Sequence, residues 1–273
     1  MELTALAELA EAESMFAYET QAPPALGAAA ARIGGGVALS VRNDPTGYWS
    51  KALGFGFDEP VTHRLVGRIV DFYRSAGTPA ATIQIAPSVL PPDWDEICSA
   101  YGLRAGPPWV KLAVPITDVR ASASSSLRIA PISPGDAAAW ADVLLRGFGM
   151  PTEGLGEMLG AAVSNPAFRP FGVWDGADLV GGGNLFVHGP VAALNGAAIL
   201  PGHRNRGAQS ALIAARVEAA RAAGCRWVVA ETGEPAAGST NPSLDNLERA
   251  GLRVRYARQN WRWHHESMGE QDV

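Results

Sequence analysis

The chain has 273 residues, of which 47% are hydrophobic and only 18% charged; it can bury real cores and is not a disordered protein. A net charge of −5 argues against a nucleic-acid binder, which normally carries a basic face to neutralise phosphates. Two distant cysteines, Cys98 and Cys225, make neither a disulfide framework nor a thiolate metal site. No apolar run approaches the roughly 20 residues that span a bilayer, and the N-terminus lacks the basic flank and apolar core of a signal peptide. The expectation is a cytoplasmic protein with no metal, nucleic-acid or membrane partner.

Residues 3–20 have helical spacing, with Leu6, Leu9, Met15 and Phe16 on one face, and Pro23-Pro24 ends that helix. Val37–Val41 and about Trp49–Phe57 read as strands. Val61–Ser75 is an amphipathic helix stopping near Gly77. A strand (Ala81–Ala86), a short helix (Trp94–Tyr101) and a strand (Trp109–Ile116) follow. The serine-rich stretch 118–126 reads as a linker. Beyond it come a strand at Leu127–Ile132, helices to about Arg146 and over Thr152–Val163, and strands near Phe171–Asp175, Leu179–Val187 and Ala192–Leu200. A long helix over Gly207–Ala223, a strand at Arg226–Thr232, a helix at Pro242–Ala250 and a strand at Val254–Trp263 complete the order. The polar tail 266–273 is expected to fray.

Ala76-Gly77 before one strand corresponds to Ala223-Gly224 before another, and the next helices end at Gly102 and Gly251 at nearly the same interval. Strand, helix, Ala-Gly, strand, short helix, Gly-Leu, strand thus occurs twice, the mark of a tandem duplication. The domains expected are 1–117 and 127–265, joined by 118–126.

The chemistry concentrates after the strand ending at Ile199-Leu200-Pro201. There Arg204-Asn205-Arg206-Gly207-Ala208-Gln209-Ser210 opens directly into a helix. Such a turn aims unpaired N–H groups and the positive end of the helix dipole at one point, a geometry that binds phosphate or pyrophosphate. Gly207 lets an anion approach the main chain, and Arg204 and Arg206 supply charge.

Here the sequence resembles the GNAT superfamily of acyl-CoA-dependent N-acyltransferases. Its signature is an apolar strand, a Pro, then Gln/Arg-x-x-Gly-x-Gly/Ala at a helix start. Arg204 and Gly207 fall on the first two signature positions, while Gln209 stands where Gly or Ala is commoner. Trp174-Asp175-Gly176 between two strands and the run Asn246–Leu252 extend the likeness over about Leu127–Trp263. The resemblance implies an α/β (mixed α+β) fold of two tandem GNAT-like domains, each a twisted mixed sheet flanked by helices. It also implies acetyl-CoA as co-substrate. The pyrophosphate would lie against Arg204 to Ser210, and the pantetheine arm along the main chain at Ile199 and Leu200, with Asn241 and Asn246 near the arm. Asn241, just before Pro242, also suits a helix N-cap.

Attack on a thioester needs a neutral amine, so a base must take a proton from a group whose free pKa is near 10. Glu231, at the end of its strand, is the first candidate; Tyr256 and Glu234 are alternatives. Many GNATs place a tyrosine in the final helix to protonate the thiolate, and here that position is Leu247. The first copy aligns Asp58-Glu59-Pro60 with Asn205-Arg206-Gly207. Carboxylates and a proline without an N–H oppose anion binding, so that copy is expected to be degenerate and to lack a cofactor site. The function expected is N-acetylation of a small molecule's primary amine by direct attack in a ternary complex. The alternatives are a non-catalytic acyl-CoA-binding module, or an acyltransferase using another donor.

Overall fold

A computed structural model describes residues 2–122 and 124–265; the expected tail 266–273 lies outside them. Two compact units are present: one takes in the chain up to Trp109 together with the segment from Ala257, and the other is Val110–Tyr256.

The first unit contains helix α1 (Leu3–Glu19), strands β1 (Ala28–Ile33), β2 (Gly36–Val41) and β3 (Lys51–Leu53), helix α2 (His63–Ala76), strand β4 (Ala80–Gln84) and helix α3 (Trp94–Tyr101). Its strands lie in the order β1-β2-β3-β4, with β3 and β4 parallel. The last strand of the chain, β11 (Arg253–His264), pairs antiparallel with β4 from Asn260 onward. Helix α2 forms because Leu65, Val66, Ile69, Val70 and Tyr73 make one buried stripe. The Thr62 side chain accepts the Leu65 N–H at 3.2 Å as an N-cap. Strand β1 is not among the sequence expectations: Ala28–Ala31 favours helix by propensity. The Gly34-Gly35 turn, at φ +52° and +80°, instead folds the run back as the antiparallel partner of β2. The strand expected over Trp49–Phe57 shortens to Lys51–Leu53, as the glycines at 54 and 56 adopt positive φ.

The second unit holds part of β5 (Arg104–Pro115), β6 (Arg128–Pro131), α4 (Ala137–Phe148), α5 (Leu155–Ala161), β7 (Phe168–Asp175), β8 (Asp178–His188), β9 (Val191–Ile199), α6 (Ala208–Ala222), β10 (Trp227–Gly233), α7 (Pro242–Arg249) and the start of β11. Its strand order is β5-β10-β9-β8-β7-β6. Ile213, Val217 and Ala220 of α6 pack with Leu185, Leu194 and Val228 of the sheet. The order strand-strand-strand-helix-strand-helix-strand runs through β1 to β5 and again through β7 to β11, as a duplicated unit requires. The compact units differ from the expected 1–117 and 127–265 because β5 and β11 each give residues to both. The stretch 118–126 is strapped onto the second unit: the Arg120 N–H donates to the Ala250 carbonyl at 2.8 Å, and the Ser125 hydroxyl to the Arg206 carbonyl at 2.9 Å. Among the described residues no helix is long and apolar enough to cross a membrane.

Candidate acyl-CoA site

The parallel strands β9 and β10 are paired only over Val191–Ala193 and Trp227–Val229. Beyond those residues they diverge. A cleft of about 660 Å³ in this unit is lined by Ala197–Ile199 at the end of β9, Arg204, Asn205 and Gly207–Ser210 of the following loop and helix, Asn246 and Arg249 of α7, and Phe148 of α4.

The start of α6 supplies the chemistry of this cleft. Gly207 stands at its N-cap position with φ +76° and no side chain to cap the helix. The first N–H groups of a helix have no acceptor within it, so the amides of Ala208, Gln209 and Ser210 and the positive helix end meet at the cleft. Arg204 and Arg249 add positive charge beside them. This donor set fits a pyrophosphate. Gly207 has a second reason to be glycine: a Cβ there would lie 2.5 Å from the Ser124 carbonyl oxygen.

Two arginines take structural partners. The Arg204 Nε donates to the Ile199 carbonyl at 2.9 Å. Arg206 turns away from the cleft and pairs with Asp175 at 2.5 Å, with its Nε on the Ser126 hydroxyl at 3.0 Å. His203 Nδ1 lies 3.1 Å from the same Asp175 carboxylate. The hydrogen bond from Arg206 is the main cause that holds the Asp175 carboxyl below its ordinary range, with His203 adding to it. In the sequence Trp174-Asp175-Gly176 stands out only as part of the family likeness between two strands; that Asp175 braces this loop is visible only in the fold.

The other expected residues divide. Ile199, Arg204, Asn205, Gly207, Ala208, Gln209, Ser210 and Asn246 line the cleft, whereas Leu200, Arg206, Asn241, Glu231 and Tyr256 are not among its lining residues. The Leu200 N–H donates to the Val180 carbonyl, and the Ile199 carbonyl is taken by Arg204. Those two main-chain groups are engaged within the protein. Asn241 caps α7: its Oδ1 accepts from the Ser243 N–H at 2.9 Å and its Nδ2 donates to the Thr232 hydroxyl and the Gly233 carbonyl. Glu231, on β10, has its carboxylate 3.3 Å from the ammonium of Lys111, a residue only 1% exposed. No sequence spacing indicates this pairing; that Lys51 and Lys111 are the only lysines is a faint signal of it. Leu247 is buried in the core, so no proton donor stands at that position of the last helix.

The first unit treats the equivalent loop differently. Cβ atoms built on Gly34 and Gly35 would fall 2.2 Å from Glu59 Oε1 and from the Asp58 Cβ respectively, so the β1–β2 turn sits directly on those carboxylate residues. Glu59 is paired with Arg68 at 2.8 Å.

Residues 143–241 match the model of the acetyltransferase (GNAT) family. No curated protein matches the chain. Among solved structures the chain is similar to a GCN5-related N-acetyltransferase from Kribbella flavida, with a TM-score of 0.65, 14% identity and 99% of each chain covered. It is also similar to a tandem GNAT protein from the clavulanic acid biosynthesis pathway, with a TM-score of 0.60, 17% identity, and 99% of this chain and 94% of that one covered. For a GCN5-related N-acetyltransferase from Sphaerobacter thermophilus the values are 0.58, 14%, 87% and 76%. At such identities the likeness is one of fold. The diverging strands, the uncapped helix start and the family match converge: residues 143–241 match the acetyltransferase (GNAT) family, and the chain has a fold similar to that of a tandem GNAT protein.

Proposed function

We propose that the protein transfers an acetyl group from acetyl-CoA to the primary amine of a small molecule, by direct attack in a ternary complex. The observation that carries this reading is the cleft formed where β9 and β10 part, with the unsatisfied N–H groups of α6 at its end. Acetyl-CoA supplies an activated acyl group. The amides of Ala208 to Ser210, with Arg204 and Arg249, hold its pyrophosphate, and Asn246 faces the arm. Glu231 accepts the amine proton, directly or through water, and Tyr256 is the second candidate. The leaving thiolate needs no dedicated acid if its thiol has a pKa near the 8.5 of a cysteine, which is compatible with a leucine at position 247.

Substitution at Gly207 is a poor test, because any side chain meets the Ser124 carbonyl and the positive φ strains it. Ser210→Asp places negative charge in the same cradle without that clash. It is expected to weaken acetyl-CoA binding at least tenfold, about 1.4 kcal/mol, with the melting temperature nearly unchanged. Calorimetric titration reads the result, and undiminished affinity removes the cofactor assignment. A second reading, an acyl-CoA-binding module without catalysis, is favoured by the burial of Leu247 and by the Lys111–Glu231 pair. Release of free thiol from acetyl-CoA in the presence of an amine panel separates the two.

A further inference from the structure

The loop that opens α6 is held in a backbone conformation that costs energy. Asn205 has φ +60°, alone among the described non-glycine residues in being positive, and Gly207 has φ +76°. Such geometry persists where the surroundings over-determine it. Here Asp175 holds the loop from one side through Arg206, and linker residues 124–126 hold it from another. The Ser125 hydroxyl donates to the Arg206 carbonyl at 2.9 Å, and the Ser126 hydroxyl accepts from Arg206 Nε at 3.0 Å. The Ser124 carbonyl occupies the place that a side chain on Gly207 would need. Ser125 is itself pinned, because its oxygen also accepts the N–H of Leu127 at 3.0 Å, and Leu127 is buried in the core. Within a trans peptide the C=O and the N–H point opposite ways. The bond from Ser125 to the Arg206 carbonyl therefore turns the Gly207 N–H away from the linker, and Gly207 lines the cleft. Ser124, Ser125 and Ser126 are not themselves lining residues, so their effect on a ligand passes through the loop.

We propose that Ser125 is a positioning residue for acyl-CoA binding: its hydroxyl holds the peptide between Arg206 and Gly207 in the orientation that receives the ligand. The assignment rests on the reading of the cleft as the acyl-CoA site. Without the hydroxyl, every residue of the cradle is still present, but the Arg206 carbonyl loses its tether and the peptide populates a second orientation. A ligand that needs one of two states binds with an apparent dissociation constant raised by the inverse of the competent fraction. Coupling of this kind is reciprocal, so a bound acyl-CoA must in turn hold the linker onto the loop. The serine run thereby does more than join two repeats, since it forms the outer support of the cofactor loop.

Two variants and one measurement on the parent make the test, and none of them needs the acceptor. Ser125→Ala removes both hydrogen bonds of the side chain, whereas Ser125→Thr keeps the hydroxyl. By calorimetry, Ser125→Ala should bind acetyl-CoA about fivefold more weakly, equivalent to about 1 kcal/mol, and Ser125→Thr should stay within about twofold of the parent. In the parent, acetyl-CoA at about ten times its Kd should slow hydrogen exchange at the Leu127 amide, read by NMR, about tenfold. Undiminished affinity in Ser125→Ala overturns the proposal, and so does an equal loss in Ser125→Thr. Exchange at Leu127 that is indifferent to acetyl-CoA overturns it without any variant. A lowered melting temperature with parental affinity also overturns it, by assigning Ser125 to the packing of the linker alone. If the parent binds no acetyl-CoA at all, the reading of the cleft itself fails, a result that calorimetry distinguishes before any variant is made.

Discussion

Lys111 and Glu231 are 120 residues apart in sequence and 3.3 Å apart in space. The ammonium competes for the same carboxylate that would take a proton from the amine. If Glu231 is the base, Glu231→Gln should lower kcat about 100-fold or more with acetyl-CoA affinity nearly intact. The loss should shrink at high pH, where free amine is abundant. A pH–rate profile identical to the parent's moves the role to Tyr256 or to water. The same change weakens the Lys111 pair, and breaking a buried pair costs about 3 kcal/mol or more; turnover is therefore compared per folded molecule. Glu19 makes a separate case in the first unit. It is 2% exposed, neither oxygen has a partner, and burial pushes its carboxyl well above the ordinary range, with Lys51 opposing. The fold thus favours the neutral acid. Its contribution is fully present below the unfolded pKa of about 4.3 and is lost as pH rises through the raised folded value. Glu19→Gln should remove this dependence, so the melting temperature of the variant relative to the parent should climb between pH 5 and pH 8. A difference that stays flat across that range would mean the carboxyl ionises normally.

Helices α6 and α7 divide their starts between two tasks. α6 begins on a glycine that caps nothing, and its first amides have no acceptor within the helix. α7 begins on Asn241, whose amide is consumed by Ser243, Thr232 and Gly233. Asn241→Ala should accordingly cost about 1 kcal/mol or more in stability and leave acetyl-CoA affinity within about twofold. A tenfold loss of affinity without loss of stability would restore the cofactor role. The contrast explains what was legible in the sequence. Arg204 to Ser210 could be placed because a strand, a proline and a glycine at a helix start are local signals, and α3, α6 and α7 emerge within a residue or two of expectation. The Asp175–Arg206 brace spans 31 residues, and no periodicity or spacing encodes it. β1 is hidden in the sequence for the opposite reason: four alanines carry a local preference for helix, and pairing with β2 overrides it.

On the scale of the whole molecule, the two units repeat one order of elements yet present unlike loops. The second offers open N–H groups and arginines; the first offers Asp58, Glu59 and a proline, with the Gly34-Gly35 turn seated on them. Calorimetry with acetyl-CoA should give one site per chain, sensitive to change at Ser210 and indifferent to change at Glu59. A stoichiometry of two would show that the first loop also takes the ligand. The duplication could be read because glycines punctuate both copies at matching intervals. The boundary could not, since the sequence of a strand says how it alternates and not which sheet it joins. The portion of β11 from Ala257 onward belongs with the residues before Trp109, and this has a consequence for biosynthesis. The unit that leaves the ribosome first cannot complete its sheet until the whole of the second unit and then Asn260–His264 have emerged. Its β4 must wait, one edge unsatisfied, for Asn260–His264. Domains of a nascent chain usually mature from the N-terminus onward; here closure of the earlier unit is expected to follow synthesis of the later one. A stop codon after Tyr256 should therefore yield protein whose first unit, though present in full up to Trp109, is readily cleaved by protease.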